Sequence, residues 1–153
     1  MEDVQVPPFE RFYAQHREVV LRRLVRLLGR ERAEDAFQET FLRALQAYPS
    51  LRHGRNLRAW VLTIAERVAV DASRRREVRA PLEGDGGQID RLPPYAEIEH
   101  LTELLPPTER AAVVLRYGYD LAYDQIGAVL GSTPEAARQA ASSGVRRLRR
   151  ELT

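Results

Sequence analysis

The sequence predicts an all-α protein of two small helical domains joined by a flexible acidic linker, with a helix-turn-helix in the second domain. Three observations predict this. Apolar residues recur at helical spacing along most of the 153 residues, and no useful stretch alternates as a strand does. A segment rich in glycine, proline and acids interrupts the pattern. We therefore place the domains at residues 1–79 and 96–153, with the linker at 80–95.

Three helices are predicted in the first domain. The first ends at Gly29, a residue suited to a helix C-terminus. The second is stopped by Pro49, and the residues expected on its inner face are Ala33, Ala36, Phe37, Thr40, Phe41, Ala44 and Tyr48. After a polar loop, Asn56 is a good N-cap for a long third helix that ends in an arginine-rich run. The expected buried stripe of the third helix is Leu57, Trp60, Val61, Ile64, Val68, Ala69 and Ala72.

The second domain is predicted to hold a short helix through Ile98 and Leu105, followed by a helix that Thr108 caps and that runs to Tyr117. Residues 123–152 then read as helix, tight turn at Gly131, and helix. Thr133 is the expected N-cap of the last helix, and Pro134 lies in its first turn, where its missing N–H costs nothing.

Charge is distributed in blocks, although the formal net charge is only +2. All 24 basic residues are arginines, which bind phosphate bidentately. Residues 52–79 hold eight arginines against three acids, residues 80–109 hold seven acids against one arginine, and residues 138–150 hold five arginines and no acid. Two basic blocks around an acidic middle favour nucleic-acid binding.

Catalytic and metal chemistry are poorly supported. The chain has no cysteine, and its three histidines, His16, His53 and His100, lack metal-ligand spacing. Glu34, Asp35 and Glu39 share a helical face, but acids on a helix are usually solvated. We expect no enzyme activity, no cofactor and no metal. With no signal peptide and no long apolar run, we expect a cytoplasmic protein without membrane insertion.

The last helix is the candidate DNA-reading element. Packing against the preceding helix would leave Glu135, Arg138, Gln139, Ser142 and Arg146 outward. Arg138 suits guanine, and Gln139 suits adenine. An ordinary helical hairpin is the alternative.

Taken together, these stretches resemble bacterial sigma factors of the extracytoplasmic-function group. AEDAFQETFLRAL (33–45) resembles the segment that docks on the large polymerase subunit. NLRAWVLTIAERVAVDASRRR (56–76) resembles the helix that melts and reads the minus-ten element. Residues 104–139 resemble the domain that reads the minus-thirty-five element. Two motif blocks in the right order and spacing make the resemblance specific.

The resemblance implies an initiation factor that binds core RNA polymerase and promoter DNA, with an anti-sigma protein as an optional further partner. It implies polymerase contacts at Asp35, Gln38, Glu39, Thr40 and Arg43. It implies minus-ten contacts, including a flipped base, at Arg52, Arg55, Asn56, Arg58, Trp60, Thr63, Arg67, Arg74 and Arg75. The implied minus-thirty-five contacts are Glu135, Arg138, Gln139, Ser142, Ser143, Arg146 and Arg149.

Several positions depart from the family pattern. Arg67 stands where members often have Asn, and Glu66 where they often have Arg or His. In the recognition helix, Ala140, Ser142 and Ser143 replace basic or aromatic residues. Gly144 replaces a usual Ala at a cost of about 1 kcal/mol of helix propensity. The alternatives are therefore a sigma-like regulator that never directs initiation, and an adaptor that binds polymerase or an anti-sigma protein without DNA.

The charge blocks also lead us to expect a compact free protein, with the two domains in contact.

Overall fold

The structure, a computed structural model, describes residues 4–79 and 104–152. Within these ranges the chain forms helices and no strand, which confirms the all-α prediction. The helices are α1 (Phe9–Leu28), α2 (Arg30–Ala47), α3 (Leu57–Arg79), α4 (Pro107–Val113), α5 (Tyr123–Val129) and α6 (Pro134–Leu152), with a 3₁₀ turn at Tyr48–Ser50 and a π-helical turn at Val114–Gly118. The linker and most of the helix expected through Ile98 and Leu105 lie outside the described residues. At the expected end of that helix, Leu104 and Leu105 form a turn and a bend rather than a helix.

Three of the predicted helix ends are confirmed. Gly29 has a positive φ of 86°, and its N–H donates to the Val25 carbonyl at 2.8 Å. The Asn56 side chain accepts the Ala59 N–H at 3.3 Å, and the Thr133 hydroxyl accepts the Ala136 N–H at 3.0 Å. These side-chain caps satisfy N–H groups that the helix itself leaves without partners.

The start of α4 differs from the prediction. Thr108 is not its N-cap, because the helix begins at Pro107 after Pro106, and no side chain caps it. The Thr108 hydroxyl instead accepts a hydrogen bond from Arg67. The α-helix also ends earlier than expected, at Val113, and a single π turn continues to Gly118. Single π turns of this kind are rare, and they occur mostly within or beside α-helices.

The first domain packs α1, α2 and α3 around fully buried Phe12. Its ring lies 5.7 Å from Trp60 and 6.1 Å from Phe41, at the edge-to-face angles that aromatic pairs favour. Between Leu57 and Ala65, every residue of α3 except Arg58 is buried. A helix buried on all sides carries no polar stripe, so this part of α3 is the central core element.

The second domain packs α4 and α5 against α6. At Gly144 of α6, an added Cβ would approach Val113 Cγ2 to 2.7 Å, so the glycine permits close contact with α4. The Glu109 carboxylate accepts two hydrogen bonds from Arg147, at 2.9 and 3.2 Å, and ties the same two helices together. The glycine that departs from the family pattern therefore has a packing role.

The two domains share one hydrophobic core. α5 packs against α2, and α4 packs against α3. Buried side chains of the second domain belong to the same cluster as the core of the first; they are Ala111, Val114, Leu115, Tyr119, Leu121, Ile126, Val129, Leu130 and Ala137. The described residues thus form a closed arrangement, in which the second domain covers part of α2, α3 and the loop before α3.

Candidate polymerase and promoter interfaces

The recognition helix α6 presents its expected outer face to solvent. Glu135, Arg138, Gln139, Ser142 and Arg146 are exposed, as is Arg149. Ala137 and Ala141, on the opposite side, are almost fully buried. Ser143 is half-buried and accepts a hydrogen bond from Arg146 at 3.2 Å. The geometry therefore leaves a polar, arginine-bearing face exposed to solvent.

Not every arginine in the C-terminal run faces outward. Arg147 is held by Glu109, whose hydrogen bonds and charge raise the pKa of its guanidinium. This residue is a link between helices, whereas Arg146 and Arg149 remain on the solvent side. The basic block thus divides into structural and surface arginines, a division that the sequence does not display.

Helix α2 presents a mixed face of polar and apolar side chains. Asp35, Gln38 and Glu39 are exposed, as expected for residues that contact a partner. Leu42 and Leu45, at 56% and 49% exposure, continue the same face one and two turns further along. Sequence reasoning missed these two leucines, although they lie four and seven residues after Gln38, a spacing that places them on the same helical face. We call Asp35, Gln38, Leu42 and Leu45 the α2 face.

Thr40 departs from the expectation that it contacts polymerase. Its side chain is fully buried, and its hydroxyl donates to the Ala36 carbonyl at 2.7 Å. The position belongs to the inner stripe of α2, beside Phe41 and Ala44, because residues four apart share a helical face. In this conformation Thr40 therefore supports the core rather than a binding surface.

Arg43 is engaged between the domains. Its guanidinium donates to Glu39 at 2.8 Å and to the Val129 carbonyl at the end of α5 at 3.1 Å, and it lies 3.6 Å from Asp71. Its side chain is only 12% exposed. An arginine side chain at the C-terminal end of a helix donates to a carbonyl that has no partner within the helix. Its positive charge is also stabilised by the negative end of the helix dipole. Arg43 thus joins α2, α3 and α5.

The expected minus-ten residues divide into two groups. Arg52, Arg55, Arg58 and Arg74 are exposed, and the side chain of Arg75 lies outside the described residues. Arg52 lies 3.4 Å from Asp120 of the second domain, but both side chains are largely exposed, so this pair adds little stability. These exposed arginines form a basic surface on α3 and the loop that precedes it.

Trp60 and Thr63 do not belong to this surface. Trp60 is fully buried among aromatic rings, and the Thr63 hydroxyl donates to the Ala59 carbonyl at 2.8 Å inside the core. The expectation that both line a flipped-base pocket is not met in this conformation. The reason is that α3 is surrounded by α1, α2 and the second domain, so only Arg58 faces solvent in its first turns.

Asn56 and Arg67 contact the second domain. The hydroxyl of buried Tyr119 donates to the Asn56 carbonyl at 2.7 Å, and the ring of His53 stacks on Tyr119 at 5.6 Å. Arg67 donates to the Thr108 hydroxyl at 2.6 Å and lies 3.4 Å from Asp71. Burial lowers the pKa of Arg67, and the neighbouring Asp71 carboxylate partly offsets that effect. Both residues are covered in the closed arrangement.

Glu66, the second departure on α3, pairs with α1. Its carboxylate accepts a hydrogen bond from Arg23 at 2.6 Å, and both side chains are mostly buried. A carboxylate held in this way faces the neighbouring helix rather than the basic surface. The substitution therefore adds an ion pair within the first domain.

The described ranges contain neither a candidate metal site nor a candidate membrane span. Among residues 4–79 and 104–152, no group of three or more His, Cys, Asp or Glu side chains is arranged to hold a metal ion. In the same part of the chain, no helix is long and apolar enough to cross a membrane.

Comparison with known families gives two matches in chain order. Sigma-70 region 2 matches residues 12–79, and Sigma-70, region 4 matches residues 103–150. The first match covers α1 to α3, and the second covers the helix-turn-helix. The unmatched segment between them, residues 80–102, contains the predicted linker.

Curated relatives agree with these matches. The chain is 30% identical to the ECF RNA polymerase sigma factor SigE of Mycolicibacterium smegmatis, over 97% of this chain and 63% of SigE. It is 32% identical to the ECF RNA polymerase sigma factor BldN of Streptomyces coelicolor, over 94% of this chain and 60% of BldN. It thus spans about three fifths of the length of these two relatives.

A third relative is matched over most of its length. The chain is 31% identical to the RNA polymerase sigma factor CarQ of Myxococcus xanthus, over 94% of this chain and 88% of CarQ. The two family regions, their order and these identities lead to one conclusion. The chain belongs to the extracytoplasmic-function group of RNA polymerase sigma factors, within the sigma-70 family.

Proposed function

We propose that this chain directs promoter recognition and transcription initiation by RNA polymerase, as a cytoplasmic factor with no catalytic step of its own. One observation carries the proposal. Two surfaces of different character, the α2 face matched to region 2 and the outer face of α6 matched to region 4, are exposed in one chain. A factor that brings polymerase to a promoter needs both.

The α2 face is the proposed polymerase contact. Asp35 and Gln38 supply polar contacts, and Leu42 and Leu45 supply apolar area. Burying a half-exposed leucine removes apolar surface from water, and each Å² removed stabilises the complex by about 25 cal/mol. Glu39 and Arg43 flank this face, and Arg43 becomes available only when it leaves Val129.

The basic surface of α3 and its loop is the proposed single-strand contact. Arg52, Arg55, Arg58 and Arg74 are placed to follow a phosphate backbone. Asn56 and Arg67 would join them once the second domain has moved, because Tyr119 and Thr108 now occupy them. Arg75 is proposed at the end of this surface on its sequence position alone.

The outer face of α6 is the proposed duplex contact. Arg138 and Gln139 lie near the helix N-terminus, the part that enters the major groove in helix-turn-helix proteins. Arg146 and Arg149 lie two to three turns further along and suit phosphates. Ser142 and Ser143 each offer only one hydroxyl, so we expect few base contacts, made mainly by Arg138 and Gln139.

The test is promoter binding by the complex with core polymerase, titrated with salt, on templates with and without the upstream element. We expect loss of the upstream element to weaken binding. Arg149→Ala should weaken binding on all sequences and reduce the salt dependence, because a phosphate contact releases counterions. Binding that ignores the upstream element would instead support an adaptor that contacts only protein through α6.

An anti-sigma protein is the remaining proposed partner. The closed arrangement shows that parts of α2 and α3 accept an apolar protein surface, since α4 and α5 already cover them. An inhibitor that stabilised this arrangement, or replaced one half of it, would keep Arg43, Asn56 and Arg67 from polymerase and DNA. Co-purification of a tight protein partner that core polymerase displaces would support this proposal.

A further inference from the structure

One aromatic ring in the helix-turn-helix contacts two arginines. Tyr123 is the first residue of α5, and its ring is half-buried. The Arg116 guanidinium lies 4.7 Å from the ring centroid, and the Arg138 guanidinium lies 5.5 Å from it. Both distances are within the range of cation–π attraction. Arg138 is the exposed residue proposed above to read a base, whereas Tyr123 belongs to the preceding helix.

The ring has a fixed place relative to α6. Arg116 donates to the Leu121 carbonyl at 3.0 Å, which holds the segment just before Tyr123. The turn between α5 and α6 is tight, since the Ser132 N–H donates to the Gly127 carbonyl at 2.7 Å. At Gly127 itself, a Cβ would approach the Thr133 backbone to 2.7 Å. The turn thus fixes the spacing of the helices that carry Tyr123 and Arg138.

This arrangement bears directly on base reading. A free arginine side chain loses about 2 kcal/mol of rotamer freedom when it is fixed in one geometry. A ring that already restrains the guanidinium reduces this loss, which is the general effect of preorganisation on affinity. The two guanidinium groups also repel each other, and an anionic partner such as a DNA backbone removes that repulsion.

We propose that Tyr123 is a positioning residue, which restrains Arg138 through a cation–π contact and thereby sets the base preference that Arg138 reads. The inference rests on the proposed function, because it needs α6 to read duplex DNA. It adds a residue outside the recognition helix to the specificity of that reading. Tyr123 acts through Arg138 and needs no DNA contact of its own.

The experiment compares four variants of the full chain in complex with core polymerase: Tyr123→Leu, Tyr123→Phe, Arg138→Ala and the double variant Tyr123→Leu with Arg138→Ala. Affinity is measured on promoter templates in which each base pair of the upstream element is replaced in turn. We expect Tyr123→Leu to lose about threefold to tenfold in affinity for the preferred template and to relax preference at the base pair that Arg138→Ala also affects. Tyr123→Phe keeps the ring and should keep the preference.

The double variant separates positioning from stability. If Tyr123 acts through Arg138, Tyr123→Leu has no further effect once Arg138 is Ala. An equal loss in both backgrounds, or a loss in Tyr123→Phe as large as in Tyr123→Leu, would overturn the inference, as would unchanged discrimination by Tyr123→Leu. If the unmodified complex itself ignored the upstream element, the proposed duplex reading would fail, and this inference with it.

Discussion

At Gly144, helix propensity and the packing seen in the structure predict opposite effects of substitution on stability. On propensity, Gly144→Ala should stabilise α6 by about 1 kcal/mol. In the structure, the new methyl would approach Val113 Cγ2 to 2.7 Å, and Val113 is buried and β-branched, so it has little freedom to move. The close packing of α6 on α4 therefore decides the outcome.

We expect Gly144→Ala to lower the free energy of unfolding by about 1–3 kcal/mol, the usual cost of overpacking a core. Thermal or urea unfolding of the full chain measures it. Ser142→Ala is the matched control, because residue 142 is exposed on the same helix and should gain slightly from alanine's propensity. A Gly144→Ala variant as stable as this control would show that the α4–α6 contact yields easily.

Residues also mark where sequence reasoning succeeded and failed. Asn56, Thr133 and Gly29 were predicted because a cap depends on local geometry alone. Helical periodicity placed Trp60 in the buried stripe of the third helix, and its full burial confirms this. The resemblance also placed Trp60 and Thr63 on a DNA surface, and this expectation failed because contacts from several helices bury both. The ion pair of Glu66 with Arg23 joins positions 43 residues apart, and no short-range pattern predicts it.

At the scale of elements, the α2 face is the proposed interface that mutation can test most clearly. Its inner stripe is buried, and its outer face combines Asp35 and Gln38 with the exposed Leu42 and Leu45. The fold does not require exposed leucines in one row on a polar helix. Such a row indicates a surface that binds a partner. Periodicity predicted the inner stripe well, but it did not single out the leucines, because scattered apolar residues are common on surfaces.

We expect the paired change Leu42→Ser with Leu45→Ser to weaken binding to core polymerase about tenfold or more, since two partly exposed leucines would lose their burial in the complex. Circular dichroism and melting temperature should change little. Leu21→Ser is the matched control, because Leu21 is a comparably exposed leucine on α1, away from this face. Equal affinities for the paired variant and the control would place polymerase elsewhere on the chain.

At the scale of the whole molecule, the main feature is the closed arrangement of the two domains. The sequence led us to expect a compact free protein from its charge blocks. The described contacts between domains are mainly of a different kind: an apolar core shared by α2, α3, α4 and α5, with Arg43, Arg67 and Tyr119 bonded across it. The tertiary arrangement decides which apolar faces of the two domains are in contact. Composition does not specify that arrangement, so these contacts could not be predicted from the charge blocks.

The absence of cysteine allows this arrangement to be measured with spin labels on introduced cysteines. We suggest Arg22→Cys on α1 and Ala136→Cys on α6, since both positions are exposed and neither belongs to a proposed interface. The free chain should give one narrow distance distribution, and core polymerase should shift it, because Arg43, Asn56 and Arg67 must be uncovered. A broad distribution in the free chain would argue that the domains are not held together.

The most direct test of the central claim is run-off transcription with purified core polymerase and this chain, on a template that carries the region upstream of its own gene. The account predicts a discrete transcript that requires the chain. It also predicts that the transcript is lost in Leu42→Ser with Leu45→Ser and weakened in Arg138→Ala. Tight binding to core polymerase without any specific transcript, on this template and on a library of upstream regions, would contradict initiation by this protein and favour an adaptor.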